Sequence, residues 1–113
     1  MTQHDDAVRL RHMLEHAREA VVLSEGKSRP SLSAERTLEL SLTRLVEIVG
    51  EAAARISPAA QERYPEIPWV EIIGLRNRLV HGYDAVDLDI LWDIIEIDLP
   101  PLIASLEKIV ADG

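Results

Sequence analysis

Apolar residues recur along this chain at spacings of three and four, and nowhere in the alternation that marks a strand. Between about Asp5 and Ser24, Leu10, Leu14, Ala17 and Val21 form one stripe, widened by Met13 and Ala20, which predicts an amphipathic first helix. The stretch EGKSRPSLS collects Gly, Pro and three serines and breaks that pattern. Ser33 is the expected N-cap of a second helix, with Glu35 and Glu39 near the positive end of its dipole. From there Leu38, Leu42, Leu45, Val49, Ala52 and Ile56 keep the spacing through about six turns, at roughly 3.6 residues per turn. Gly50 interrupts this helix at about 1 kcal/mol relative to alanine. It marks either a close backbone approach by a neighbouring helix or a tolerated small residue.

SPAAQERYPEIP carries three prolines, with room for one turn of helix in its QER piece. Pro68 then suits the first turn of a third helix, whose inner stripe reads Trp69, Ile72, Ile73, Arg76, Leu79 and Val80. Asp87 is the expected N-cap of a fourth helix carrying Leu88, Leu91, Trp92, Ile95 and Leu99. Pro100 and Pro101 kink it or restart it as a fifth, which LIASLEKIV continues. With no repeat and no second domain, residues 1–113 read as a single all-α domain, an antiparallel bundle of four or five helices.

Composition narrows the picture. A chain of 113 residues is one domain by length, and 47% hydrophobic content with only 4% aromatics and no Phe leaves a core of Leu, Ile, Val and Ala. Twelve Lys and Arg against 20 Asp and Glu give a net charge of −8, which opposes non-specific adhesion to nucleic acid, so any RNA contact has to be local. The absence of Cys removes disulfides, thiolate nucleophiles and cysteine zinc sites. MTQHDDAVRL lacks the order of a signal peptide, and no apolar run approaches the roughly 20 residues that span a bilayer. A soluble, cytoplasmic protein with no membrane partner is expected.

The segment RNRLVHGY, residues 76–83, concentrates the candidate chemistry. On the inner stripe, the Arg76 guanidinium needs a carboxylate, a cleft or an anion from another molecule, because it cannot be neutralised. In an unbroken helix Arg76 and His81 diverge by about 140 degrees, whereas Asn77 and Arg78 share the His81 face and Gly82 can end the helix just beyond it. A permanent cation, an amide and a residue that titrates near neutrality are the parts needed to cleave a phosphodiester. One takes the proton of a ribose 2′-hydroxyl while another stabilises charge in the transition state, with no metal or cofactor. The competing reading pairs Arg76 with Glu47 or Glu51 and leaves His81 at a helix end. His12 and His16, four apart, have the spacing of a metal pair but no evident third ligand, so they read as ordinary exposed residues and no metal is expected. Lys27 and Arg29 are either an RNA rim or solvated charges, and Asp84, Asp87 and Asp89 suit the N-terminus of the next helix.

Arg76, Asn77, three residues, His81, Gly82 and Tyr83 resemble the R-x4-H-x-Y signature of HEPN-domain proteins, specifically the DUF86 or HepT-like branch. EIVGEAA at 47–53, YPEIPW at 64–69, VEIIGLRNRLVHGYDAVD at 70–87, LW at 91–92 and DLPPL at 98–102 look like the same branch. The resemblance implies a helical HEPN bundle that homodimerises, bringing two motifs to one cleft. It implies a metal-independent ribonuclease toxin of a type VII toxin–antitoxin pair, with RNA as substrate and an MNT-type nucleotidyltransferase as antitoxin. By position, Arg76 would stabilise the scissile phosphate, His81 would act as general base or acid, and Asn77 would orient one of them. Tyr83 would be the tyrosine that the partner modifies with AMP. The alternative of a different class is a non-catalytic dimeric binding subunit, or substrate, of a minimal nucleotidyltransferase. A third is a purely structural bundle.

Overall fold

The computed structural model describes residues 3–80 and 85–112. The chain runs α1 (Gln3–Ser24), α2 (Arg29–Ala34), α3 (Arg36–Ala54), α4 (Pro58–Arg63), α5 (Trp69–Ile73), α6 (Leu75–Leu79), α7 (Leu88–Asp93), a π-helical turn (Ile94–Asp98) and α8 (Leu99–Asp112). Three long bodies make the bundle: α1, α3, and the rod formed by α7, the π turn and α8. Helix α1 lies between α3 and α8, and α5 and α6 cover the other flank of α3. The fold is all-α, as the apolar spacing predicts. Among the described residues the one extended pairing is an isolated antiparallel bridge, Val80 to Val86.

The stripes expected for the first two long helices are the ones that are buried. Leu10, Met13, Leu14, Ala17 and Ala20 of α1 meet Leu38, Leu42, Leu45, Val49 and Ala52 of α3 in one core, with Ile56 just beyond. Helix α3 starts later than the serine signal implies. Glu35, extended at φ −122, is its N-cap, while Ser33 lies inside α2 and its hydroxyl receives Arg29 Nη1 at 3.3 Å. The reason is Pro30, which suits the first turn of a helix and so starts α2 early, capped by Ser28. Asp87 caps α7 as expected, accepting from the amides of Asp89 and Ile90 at 3.0 and 3.1 Å.

Pro100 and Pro101 do not open a separate fifth helix after a break: helical winding is continuous from Leu88 to Asp112, changing only through one π turn. They sit in the first turn of α8, directly after the π turn, whose wider winding sends the Leu99 amide to the carbonyl of Ile94. A proline in an α-helix lacks a donor and its ring collides with the carbonyl four residues back; one wide turn relieves both problems and the rod continues. Gly50 resolves in favour of close approach. A Cβ there would lie 3.2 Å from the Ile72 carbonyl oxygen, so α5 packs its backbone directly onto α3.

Candidate functional site

The helix that carries the motif is broken twice, and both breaks move its residues from where an ideal helix would put them. Gly74 separates α5 from α6, and α6 ends at Leu79, where Val80 turns extended at ψ 123. The Leu79 carbonyl is then taken by the Asp87 amide at 2.9 Å, so the chain leaves the helix before the histidine and not at Gly82. The angular separation of Arg76 and His81 in an unbroken helix therefore does not apply.

The buried stripe is Trp69, Ile72, Leu75 and Leu79, and Leu75 is fully buried. Arg76 is not on it. Its side chain is 67% exposed, contrary to the expectation that it points inward, while Ile73 and Val80 are also exposed. With Leu75 available one position earlier, the helix buries an apolar side chain and leaves the guanidinium in water, which avoids a large desolvation cost. Arg76 instead reaches sideways to α3, its Nε 3.5 Å from Glu47 Oε2. Glu47, three-quarters shielded, also faces Arg44 at 3.7 Å, and Arg44 reaches on to Glu51 at 3.1 Å. The carboxylate partner weighed for Arg76 thus exists, on a solvated surface. Leu40, Arg44, Glu47 and Glu51 share one face of α3, spaced four, three and four.

Asn77 is exposed beside Arg76. Arg78 points elsewhere: it donates to Asp98 of the π turn at 2.9 Å and so pins α6 to the rod. His81, Gly82, Tyr83 and Asp84 lie outside the described residues, so the structure places Arg76 and Asn77 of the motif and not its other members.

The remaining candidates take ordinary roles. The His12 and His16 rings stand edge to face at 6.3 Å, and His16 Nδ1 donates to the His12 carbonyl at 2.7 Å, which removes that nitrogen as a ligand. Among the described residues no three His, Cys, Asp or Glu side chains are grouped to hold a metal. Lys27 pairs with Glu35 at 3.0 Å and Arg29 with Asp89 at 2.5 Å, so both are spent within the chain. No helix of the described residues is long and apolar enough to cross a membrane.

Two features have no mark in the sequence. Asp6, nearly buried, accepts from the Ser57 amide at 2.9 Å and its hydroxyl at 2.6 Å, tying the start of α1 to the cap of α4. A groove of about 280 Å³ opens between α1 and α3, lined by Arg9, His12, Ile48, Glu51 and Arg55 among others. Its two arginines are 46 positions apart, and only the packing of α1 on α3 brings them together.

Comparison with known proteins identifies the family. The model of a family described as Ribonuclease HepT-like matches residues 11–109. "Putative RNase MJ1380" of Methanocaldococcus jannaschii is 30% identical over 107 residues, covering 95% of this chain and 98% of the relative. "Probable ribonuclease HepT" of Thermococcus cleftensis is 33% identical over 100 residues, covering 85% of this chain and 91% of the relative. No solved structure matches the chain significantly.

Proposed function

Because the chain belongs to the ribonuclease HepT-like family, we propose that it is a metal-independent endoribonuclease working through Arg76, Asn77 and His81. The observation that carries the reading is the setting of Arg76. It is a mostly exposed guanidinium, held at the surface by one longer ion pair to Glu47 and free to exchange that carboxylate for a phosphate. In this mechanism the His81 imidazole takes the proton of a ribose 2′-hydroxyl, and that oxygen attacks the adjacent phosphorus. Arg76 balances the charge that builds on the phosphoryl oxygens, and Asn77 orients the phosphate. The leaving 5′-oxygen takes a proton from water and the His81 imidazolium returns its proton to solvent, giving a 2′,3′-cyclic phosphate and a 5′-hydroxyl end.

Two copies would bring two motifs to one cleft. The solvent-exposed side chains of Leu40, Ile73 and Val80, on the helices that carry Glu47 and Arg76, support a second copy as their cover. The protein would act as the toxin of a type VII toxin–antitoxin pair, silenced when an MNT-type nucleotidyltransferase places AMP on Tyr83. An adenylyl phosphate there would add negative charge to a surface that has to admit RNA.

The test is cleavage of single-stranded RNA by the purified protein beside Arg76→Ala and His81→Ala variants. Each substitution is expected to lower cleavage by at least about a hundredfold. A substrate with a 2′-deoxy sugar at the scissile position is expected to resist. Equal activity of wild type and both variants would overturn the reading.

A second reading draws on the same ion pair. Arg76 already has a carboxylate within the chain, and the net charge of −8 repels RNA, so the bundle would serve the nucleotidyltransferase as a non-catalytic partner. AMP on Tyr83 by mass spectrometry, together with no RNA cleavage by modified or unmodified protein, would favour it.

A further inference from the structure

Most arginines of this acidic chain are matched to a carboxylate: Arg18 to Glu107, Arg29 to Asp89, Arg36 to Glu39, Arg44 to Glu47 and Glu51, Arg76 to Glu47, and Arg78 to Asp98. Among the described residues Arg9, Arg11, Arg55 and Arg63 make no such pair, and all four line grooves on either side of α1. Arg11 and Arg63 flank a cavity of about 70 Å³, too small for a nucleotide, and Arg63 lies over the Tyr64 ring at 5.9 Å. Arg9 and Arg55 face the groove of about 280 Å³. Of the two carboxylates that share its lining, Asp5 and Glu51, the second is taken by Arg44. A chain of net charge −8 that leaves two guanidiniums unmatched across one groove has built a local exception to its own field.

The lining of that groove has the parts one nucleotide needs. Val8, Ile48 and Ala52 give an apolar floor on which a base can lie. The His12 ring and the planar guanidiniums can stack on it, and Arg9 and Arg55 can take its phosphate in charge-assisted hydrogen bonds. A chain of ion pairs links the groove to the proposed cleavage site. The ion-pair chain Arg76, Glu47, Arg44, Glu51 ends on its wall, and Glu47 to Arg55 spans roughly 12 Å along the α3 axis at about 1.5 Å per residue.

We propose that the groove between α1 and α3 is a subsite for one unpaired nucleotide of the RNA strand beyond the scissile bond, its phosphate held by Arg9 and Arg55. The proposal rests on the ribonuclease reading, because it assigns the strand that the reading supplies. Two guanidiniums without a carboxylate partner among the described residues would give the strand a local anchor on an otherwise acidic protein.

The test compares wild type with the Arg9→Gln/Arg55→Gln double variant on two substrates, a single-stranded RNA oligonucleotide and a ribodinucleotide that spans only the scissile bond. Gln keeps much of the apolar stem and the site is at the surface, so folding is checked by thermal melting alongside. On the oligonucleotide the double variant is expected to fall roughly ten- to a hundredfold in kcat/KM, through KM. Its log–log salt slope should be shallower by about 0.7 for each phosphate that the variant no longer neutralises. On the ribodinucleotide the two proteins are expected to be equal. Equal activity on the oligonucleotide, or an equal fall on both substrates, overturns the subsite while leaving the ribonuclease reading standing. Wild type inert on both substrates overturns the ribonuclease reading and the subsite with it. A double variant that cleaves normally but escapes silencing by the nucleotidyltransferase assigns the groove to a protein partner and overturns the subsite.

Discussion

Leu75 and Arg76 are neighbours in sequence with opposite environments, and the contrast says what each can bear. Leu75 is fully buried against α3, while the Arg76 side chain is 67% exposed and holds Glu47 across a solvated surface. An exposed ion pair contributes about 0–1 kcal/mol, so Arg76→Ala should change unfolding free energy by less than about 1 kcal/mol. Leu75→Ala removes a core side chain and should cost about 2–5 kcal/mol. Denaturant unfolding of the two variants checks both numbers. A large destabilisation in Arg76→Ala would mean that the residue is structural and that its effect on activity cannot be read as catalysis. The candidate chemistry was legible in RNRLVHGY as residue types. The direction of Arg76 was not, because Leu75 and Arg76 compete for the same inward slot and the break at Gly74 lets the helix choose the apolar one.

At the scale of elements, the packing of α5 on α3 depends on Gly50, where an added Cβ would meet the Ile72 carbonyl oxygen at 3.2 Å. Gly50→Ala gains about 1 kcal/mol of helix propensity and has to push α5 by a few tenths of an ångström, so a net change within about 1 kcal/mol is expected. Gly50→Leu cannot be absorbed that way and should destabilise by about 1–3 kcal/mol or more. Thermal melting of the pair distinguishes close approach from a merely tolerated glycine, since a tolerated position would accept both. Glu47 lies one turn before Gly50 on α3, so both variants should reduce RNA cleavage more than their reduced stability alone would. The long helices were written in the apolar spacing of α1 and α3. The short ones were not: Pro30 and Ser28 organise α2 locally, and the π turn answers Pro100 and Pro101 with a geometry that no periodicity announces.

The whole molecule is a flattened body, 42 × 30 × 19 Å, with a radius of gyration of 14.1 Å against about 13 Å for an average compact chain of this length. A thin bundle has broad faces, and the helices that carry Glu47 and Arg76 leave the apolar side chains of Leu40, Ile73 and, just past α6, Val80 uncovered. A second copy seated over Arg76 and Glu47 would be the natural cover for that face. If a second copy covers that face, wild type should sediment as a dimer. A Leu40→Asp/Val80→Asp variant should then weaken dimerisation by about tenfold or more, and lose RNA cleavage in step as it becomes monomeric. Sedimentation velocity over a concentration series decides this. A wild type monomeric at all concentrations, or a charged variant that dimerises normally, would place the partner elsewhere.

The sequence by itself determined the class of fold, the two main helices, the cap at Asp87 and a segment, RNRLVHGY, whose residue types make it the candidate for chemistry, because periodicity and residue chemistry are local properties. Its resemblance to the HepT-like branch pointed to the family that the comparisons then showed. Only the tertiary structure decided that Arg76 faces water and pairs with Glu47, and that Gly50 seats a neighbouring backbone. It alone brought Arg9 and Arg55, 46 positions apart, to one groove. Those outcomes depend on which of several apolar stripes a helix buries and on what packs across from it. That choice is made by the desolvation cost of the whole assembled core, and no single helix carries it in its own spacing. RNRLVHGY therefore offered the candidate chemistry, and the packing of α5 and α6 on α3 set where Arg76 and Asn77 stand.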